Sequence, residues 1–265
     1  MNTNLHSVLN NPFFKLVMTM DCEGYNFDKT LKENVLNLER FLERNTDAGI
    51  TTVLFTTPHF ANMMYSLDLI EKVKHNYNVV FGLHIHPNDF PEDIQKYCSF
   101  ATKKEDLIGA YNYDQQLMMI KHSMDYLFQR GITDIQAYRG GYFSMNDNTA
   151  KALKALTNID LESHNIYRSQ YQISKNIIKP FPVYAFDENE EFRLEYFDGR
   201  KLINMLHGAV ERGNDVIGIT HSYLLKDDDI HIKMSALINE IRALNLFKYV
   251  KGSPMDETAI GKEVV

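Results

Sequence analysis

Apolar residues in this chain gather in short runs separated by amphipathic stretches. Phe14–Met20 reads FKLVMTM, Thr51–Thr57 TTVLFTT, Val79–His84 VVFGLH, Ile135–Tyr138 IQAY and Val216–Thr220 VIGIT. Runs of this length, rich in β-branched and aromatic residues and bounded by turn formers, predict buried strands. Between them the period changes. Leu31, Val35, Leu38 and Leu42 recur at helical spacing, with Asp28 or Thr30 as candidate caps and Gly49 as the stop. Leu67–Tyr77, Asp114–Gln129 (ended by Gly131), Asn146–Leu156, Lys201–Glu211 and Ile230–Leu244 also read as helices. Ile159–Leu161 and Phe247–Val250 predict two further short strands, and Pro58 is the expected stop of the second strand.

Strand and helix alternate from Phe14 to Val250, the pattern of parallel βαβ units. About seven such units suit a closed or nearly closed α/β barrel better than an open sheet. Asn88–Asn112 is polar and irregular. Asn165–Asp198, with Pro180, Pro182 and the acidic run Asp187–Glu191, reads as an insertion: a hairpin, a lid over a cleft or a dimer contact, so a homo-oligomer stays open. A single domain is expected over residues 1–265, with a loose tail in the last dozen.

Composition narrows the function classes. The net charge of −7 comes without a long basic run, which argues against nucleic acid as partner. No apolar stretch approaches the roughly 20 residues of a membrane helix. Two cysteines are too few for a disulfide framework and fit a reducing compartment. The polar start of the chain does not resemble a secretory signal, so the cytoplasm is the expected location.

Four segments place polar residues where strands should end: Met20-Asp21-Cys22-Glu23-Gly24, Gly82-Leu83-His84-Ile85-His86-Pro87, Tyr138-Arg139-Gly140-Gly141 and Ile219-Thr220-His221-Ser222. Parallel barrels collect catalytic groups at those ends. Residues two apart on a strand share a face, so Asp21 pairs with Glu23, and His84 with His86. Imidazole and carboxylate are ligands for zinc and similar ions, and Asn88 or Asp89 could add an oxygen. Arg139 can hold a carboxylate ionised, a backbone N–H near Gly141 or Tyr142 can face an oxyanion, and His221 can protonate a leaving group. Taken singly, Asp-x-Glu reads more simply as a solvated loop, Arg139 as a turn salt bridge and His221 as a structural histidine. His59 could line the same cleft. Cys22, flanked by carboxylates, reads as packing.

These segments, in this order, resemble the polysaccharide deacetylase family (carbohydrate esterase family four) over about Phe14–Tyr223. The resemblance implies a distorted (β/α)7 barrel and a divalent metal, most simply Zn²⁺. It implies Asp21 as base, Glu23 and His84 as metal ligands, Arg139 as the residue that orients the base, and His221 as acid. The family's second histidine lies four residues on, where this chain has Asn88; His86 stands in for it. Asp160-Leu161-Glu162-Ser163 resembles a later Asp-Ser segment with Glu162 in place of the aspartate. Tyr142 and Glu162, with His59, are the candidate substrate contacts. The implied activity is metal-dependent removal of an N-acetyl or N-formyl group from an amino sugar. With a cytoplasmic location, the substrate would be a nucleotide- or lipid-linked precursor of a surface polysaccharide such as O-antigen or capsule. Two alternatives stand beside it. Amidohydrolases and phosphoesterases also use His-x-His, though after their first strand. A non-catalytic carbohydrate-binding relative would have lost its metal site at Asn88.

Overall fold

The computed structural model describes residues 3–102, 104–163, 179–180, 185–187 and 190–246. The strands are β1 (Leu16–Cys22), β2 (Thr51–Thr56), β3 (Val79–Ile85), β4 (Ile135–Gly140), β5 (Leu161–Glu162), β6 (Lys179–Pro180), β7 (Ala185–Asp187), β8 (Glu190–Glu191) and β9 (Val216–His221). Seven form one parallel sheet in the order β6-β5-β4-β3-β2-β1-β9, and β7 and β8 pair antiparallel. Parallel neighbours need crossovers, and helices supply them: Leu31–Leu36 and Leu38–Asp47, Pro58–Ser66 and Ile70–Asn76, Tyr113–Phe128, Asp147–Leu156, and Gly199–Glu211 before β9. Past β9 the sheet curls on into residues 192–194, where Arg193 bridges Ile219 and the Leu194 N–H donates to the Ile219 carbonyl at 3.1 Å. This is the distorted (β/α)7 barrel. No helix among the described residues is long and apolar enough to cross a membrane.

The pleat sorts the core into two shells, because alternate strand residues face opposite sides. On β1, Leu16, Met18, Met20 and Cys22 face the helices, while Val17, Thr19 and Asp21 have the inward parity. Val17, Val53, Phe55, Val80, Ala137, Leu161 and Ile217 form the small inner core. Leu5 joins them from a short helix, Leu5–Leu9, capped by Asn4, whose side chain accepts from the Ser7 N–H. Gln136, near the start of β4, accepts the Leu5 N–H at 2.7 Å. This plug at the N-terminal end of the strands was invisible in a leader that reads as polar.

Other differences have local causes. Pro58 does not merely stop β2; it opens the helix Pro58–Ser66, with Thr57 as its cap. A fixed φ and a missing N–H cost nothing in a first helical turn. The helix expected over Leu67–Tyr77 begins only at Ile70, because Asp68 adopts φ 54° and separates the two. The long helix expected after Asp28 is two, parted at Asn37. Parts of the Asn165–Asp198 insertion, the strand expected at Phe247–Val250 and the tail lie outside the described residues.

Candidate metal centre and active-site cleft

The inward parity carries through to the C-terminal ends of the strands. Asp21 on β1 is in register with His221 on β9, and His84 on β3 with Arg139 on β4. A Cβ at Gly82 would lie 2.6 Å from the Phe55 ring, so glycine makes room for that ring inside the barrel. Phe55 in turn lies under the Arg139 guanidinium, 4.1 Å from its centre. Arg139 is fully buried. Its Nη1 donates to Asp21 Oδ1, Nη2 to Thr19 Oγ1 and Ser163 Oγ (both 2.8 Å), and Nε to Ser163 Oγ (3.1 Å). Burial pushes the Asp21 carboxyl up, but Arg139, then His84 and His221, outweigh it and hold it below the ordinary aspartate range.

Glu23 follows β1 directly, and its backbone N–H donates to Ser222 Oγ at 2.9 Å. Glu23 Oε1 lies 3.7 Å from His84 Nε2, and Oε2 lies 3.3 Å from His86 Nε2. Both imidazoles are anchored from behind: His84 Nδ1 meets the Arg139 carbonyl at 2.7 Å and His86 Nδ1 meets Asp106 Oδ1 at 2.7 Å. With Nδ1 occupied, each ring aims Nε2 at Glu23. Glu23 Oε2, His84 Nε2 and His86 Nε2 are buried and have no hydrogen-bond partner. Ligand atoms of the three residues lie within 4.8 Å of one another. Buried polar atoms are normally satisfied, and two imidazole nitrogens facing a carboxylate are the donor set of a divalent cation such as zinc. The residues present therefore fit a metal. Burial raises the Glu23 carboxyl, but the histidines beside it prevail and hold it well below the usual range. Burial lowers the His86 imidazole, while Glu23 and Asp106 raise it more, to about 10.

His221 closes the far wall. Its Nδ1 meets Glu195 Oε1 at 2.6 Å, and its Nε2 lies 3.7 Å from Asp21 Oδ2 and 3.4 Å from Arg193 Nη2. Glu195 Oε1 also forms an ion pair with Arg193, 3.0 Å from its Nε. A cavity of 350 Å³ is lined by Asp21, Glu23, His86, Glu191, Arg193 and His221, with aromatic walls from Phe27, Tyr142, Phe143, Tyr196 and Tyr223. Tyr142 and Tyr196 are more than half exposed at its mouth. Tyr142 and Phe143 take φ 52° and 58°, so the chain turns sharply after Gly140-Gly141. A Cβ at Gly141 would fall 2.3 Å from the His86 ring, which requires glycine there.

The structure thus brings together Asp21, Glu23, His84, His86, Arg139 and His221, with Tyr142 on the cavity wall. His59 and Glu162 lie elsewhere: His59 Nε2 is 3.6 Å from Asp89 Oδ1, and Glu162 is buried on β5 close to Tyr138. Asn88 is not among the cavity residues; its carbonyl accepts from Asn26 Nδ2. Cys22 is buried among apolar neighbours, and burial with the charges of Asp21 and Glu23 raises its thiol. Glu195, Arg193 and Asp106 were missed. For the first two a signal existed. In Glu191-Phe192-Arg193-Leu194-Glu195, Phe192 and Leu194 pack in the outer core, which puts Arg193 and Glu195 on the cleft face.

No family model and no curated protein matches the sequence. Solved structures do match. A Mycobacterium smegmatis protein assigned as a polysaccharide deacetylase aligns over 95% of this chain and 91% of its own, with 13% identity and a TM-score of 0.61. The chain has the polysaccharide deacetylase fold. A carbohydrate esterase family 4 pseudoenzyme from Bacillus anthracis aligns over 91% of this chain and 64% of its own, with 10% identity and a TM-score of 0.50. A family 4 carbohydrate esterase from Streptomyces lividans, in complex with acetate, aligns over 92% of this chain and 98% of its own at 11% identity, with a TM-score of 0.49. A pseudoenzyme is among the structures that share this fold, so the chemistry has to be argued from the site.

Proposed function

We propose that this protein is a metal-dependent N-deacylase that hydrolyses the amide of an N-acylated amino sugar. The observation that carries the reading is the trio of buried, unpartnered ligand atoms on Glu23, His84 and His86, two of whose residues, Glu23 and His86, line the same cavity as Asp21 and His221 while His84 lies buried behind them. A divalent ion held by those three residues, zinc by its donor set, would acidify water and polarise an acyl carbonyl. Asp21, kept ionised by Arg139, is the base that takes the proton of the attacking water. Arg139 fixes the direction of that carboxylate through its contacts to Thr19 and Ser163. His221, steered by Glu195, turns Nε2 toward the cavity and delivers a proton to the departing nitrogen. The backbone N–H near Tyr142 meets the developing oxyanion, and the exposed ring of Tyr142 flanks the sugar.

Release of acetate or formate from N-acetyl and N-formyl amino sugars tests the reading, with free, nucleotide-linked, lipid-linked and polymeric substrates compared after zinc loading. We expect turnover to fall at least about 10²-fold in Asp21→Asn and in His221→Ala, with folding retained. Near-normal turnover in either variant refutes its role. The neighbouring pseudoenzyme favours a second reading, a carbohydrate-binding protein without catalysis. Elemental analysis separates the two: stoichiometric metal after purification supports hydrolysis, and no uptake even with metal supplied supports binding.

A further inference from the structure

The geometry points to Asp106 as the positioning residue that makes His86 a metal ligand. The inference rests on Glu23, His84 and His86 being the ligand set. Asp106 sits in the irregular segment after β3, twenty positions beyond His86. Its Oδ1 meets His86 Nδ1 at 2.7 Å, and its side chain is only 16% exposed. The two histidines are held by unlike devices. His84 is anchored by the Arg139 main-chain carbonyl, which side-chain substitution cannot remove. His86 lies one residue past the end of β3, where no ladder partner supplies a carbonyl, and the Asp106 side chain takes that place.

A carboxylate behind an imidazole does three things for a ligand. It selects the tautomer with hydrogen on Nδ1 and the lone pair on Nε2, it fixes the ring plane, and it raises the basicity of Nε2. Each is needed here. The ring fills the space that a Cβ at 141 would take, and Phe27 packs 4.3 Å from the ring centre; such contacts shape the slot but carry no polar partner that would choose which ring nitrogen faces Glu23. Asp106 is held in turn, because its segment is tied to the turn after β4: the Gly109 N–H donates to Ser144 Oγ at 3.1 Å and Asn146 Nδ2 donates to the Gly109 carbonyl at 2.9 Å. Asp106 therefore sets how tightly the site holds its ion without touching it.

The test is zinc affinity, read by competition with a chromogenic chelator in wild type, Asp106→Ala and Asp106→Asn, beside the melting of each protein in excess chelator. Asp106→Ala should bind zinc about 10–100-fold more weakly, with a metal-free melting curve close to wild type. Asp106→Asn keeps an oxygen acceptor and should lie between the two. It also carries the test alone if Asp106→Ala fails to fold. Cobalt(II) absorption adds a readout of the ligand set and should change in Asp106→Ala. Wild type that binds zinc stoichiometrically, together with variants that bind it equally well and give the same cobalt spectrum, overturns the role of Asp106 alone. Wild type that takes up no zinc overturns the ligand set and this role with it.

Discussion

The Arg139–Asp21 pair predicts a specific pattern of lost stability. Arg139 is fully buried and Asp21 nearly so, and the guanidinium spends its donors on Asp21, Thr19 and Ser163. Arg139→Met fills a similar volume but strands a carboxylate out of water. Removing one partner of a buried ion pair costs about 3–5 kcal/mol. At about 2–4 °C per kcal/mol for a domain near this size, that is a fall in Tm of about 6–20 °C. Asp21→Asn strands the cation instead and lowers the melting temperature as well, while the protein stays folded at assay temperature. The double variant removes both charges, and buried pairs replaced by neutral groups lose little. It should therefore be more stable than the sum of the single losses predicts, by about 2 kcal/mol or more. Thermal and urea unfolding in excess chelator measures all four corners of the cycle. Simple additivity would refute the claim that Arg139 exists to hold Asp21 charged. Activity gives an independent sign. Without Arg139, burial raises the Asp21 carboxyl, so the acid limb of the pH–rate profile moves to higher pH.

Four further outcomes follow from the same geometry. Glu195→Ala removes the acceptor behind His221 Nδ1 and should lower kcat about 10²-fold with little change in KM, by steady-state kinetics. Gly141→Ala drives a methyl into the His86 ring and should weaken zinc binding by more than about tenfold, while costing about 1–3 kcal/mol in the metal-free fold; unchanged affinity in the chelator competition would count against the ring slot. Leu5→Ala opens the inner core at its plug and should cost about 2–5 kcal/mol in urea unfolding. His86 holds its proton up to about pH 10 in the metal-free fold, and a ligating nitrogen must lose it, so protons compete with metal below that value. Apparent zinc affinity should rise about tenfold per pH unit from pH 7 upward, with one proton released per ion in calorimetry run in buffers of different ionisation enthalpy.

The strands of the barrel and the polar residues at their ends could be read from the chain because both depend on local pattern. Five apolar runs mark β1, β2, β3, β4 and β9, and the period-two rule already puts Asp21 with Glu23 and His84 with His86. What stayed hidden depends on partners remote in sequence. Leu5 looks like part of a polar leader until the inner core closes on it. Asp106 reaches His86 from within a segment without periodicity. His59 looked like a cleft residue because it follows β2, but Thr57 caps a helix there and His59 faces Asp89 instead. Glu162 carries the wrong parity: Tyr138, its register partner on β4, packs in the outer core, whereas Ser163 beyond it reaches Arg139.

The same parity explains why His86, and not Asn88, stands beside His84. Residues four apart share a face on a helix, whereas residues two apart share one on a strand. Here the backbone stays extended through Ile85, so His84 and His86 project to the same side and their rings lie 4.9 Å apart. By Asn88 the chain has turned: its main-chain carbonyl accepts from Asn26, and the residue is not among those lining the cleft. A strand-borne pair lacks the helical hydrogen bonds that would stiffen its second member, and the need for Asp106 and for the glycine at 141 follows from that deficit. Ligand spacing, the distant carboxylate and the glycine slot are thus one arrangement, and a change in any of the three should be felt first as a change in how tightly the metal is held.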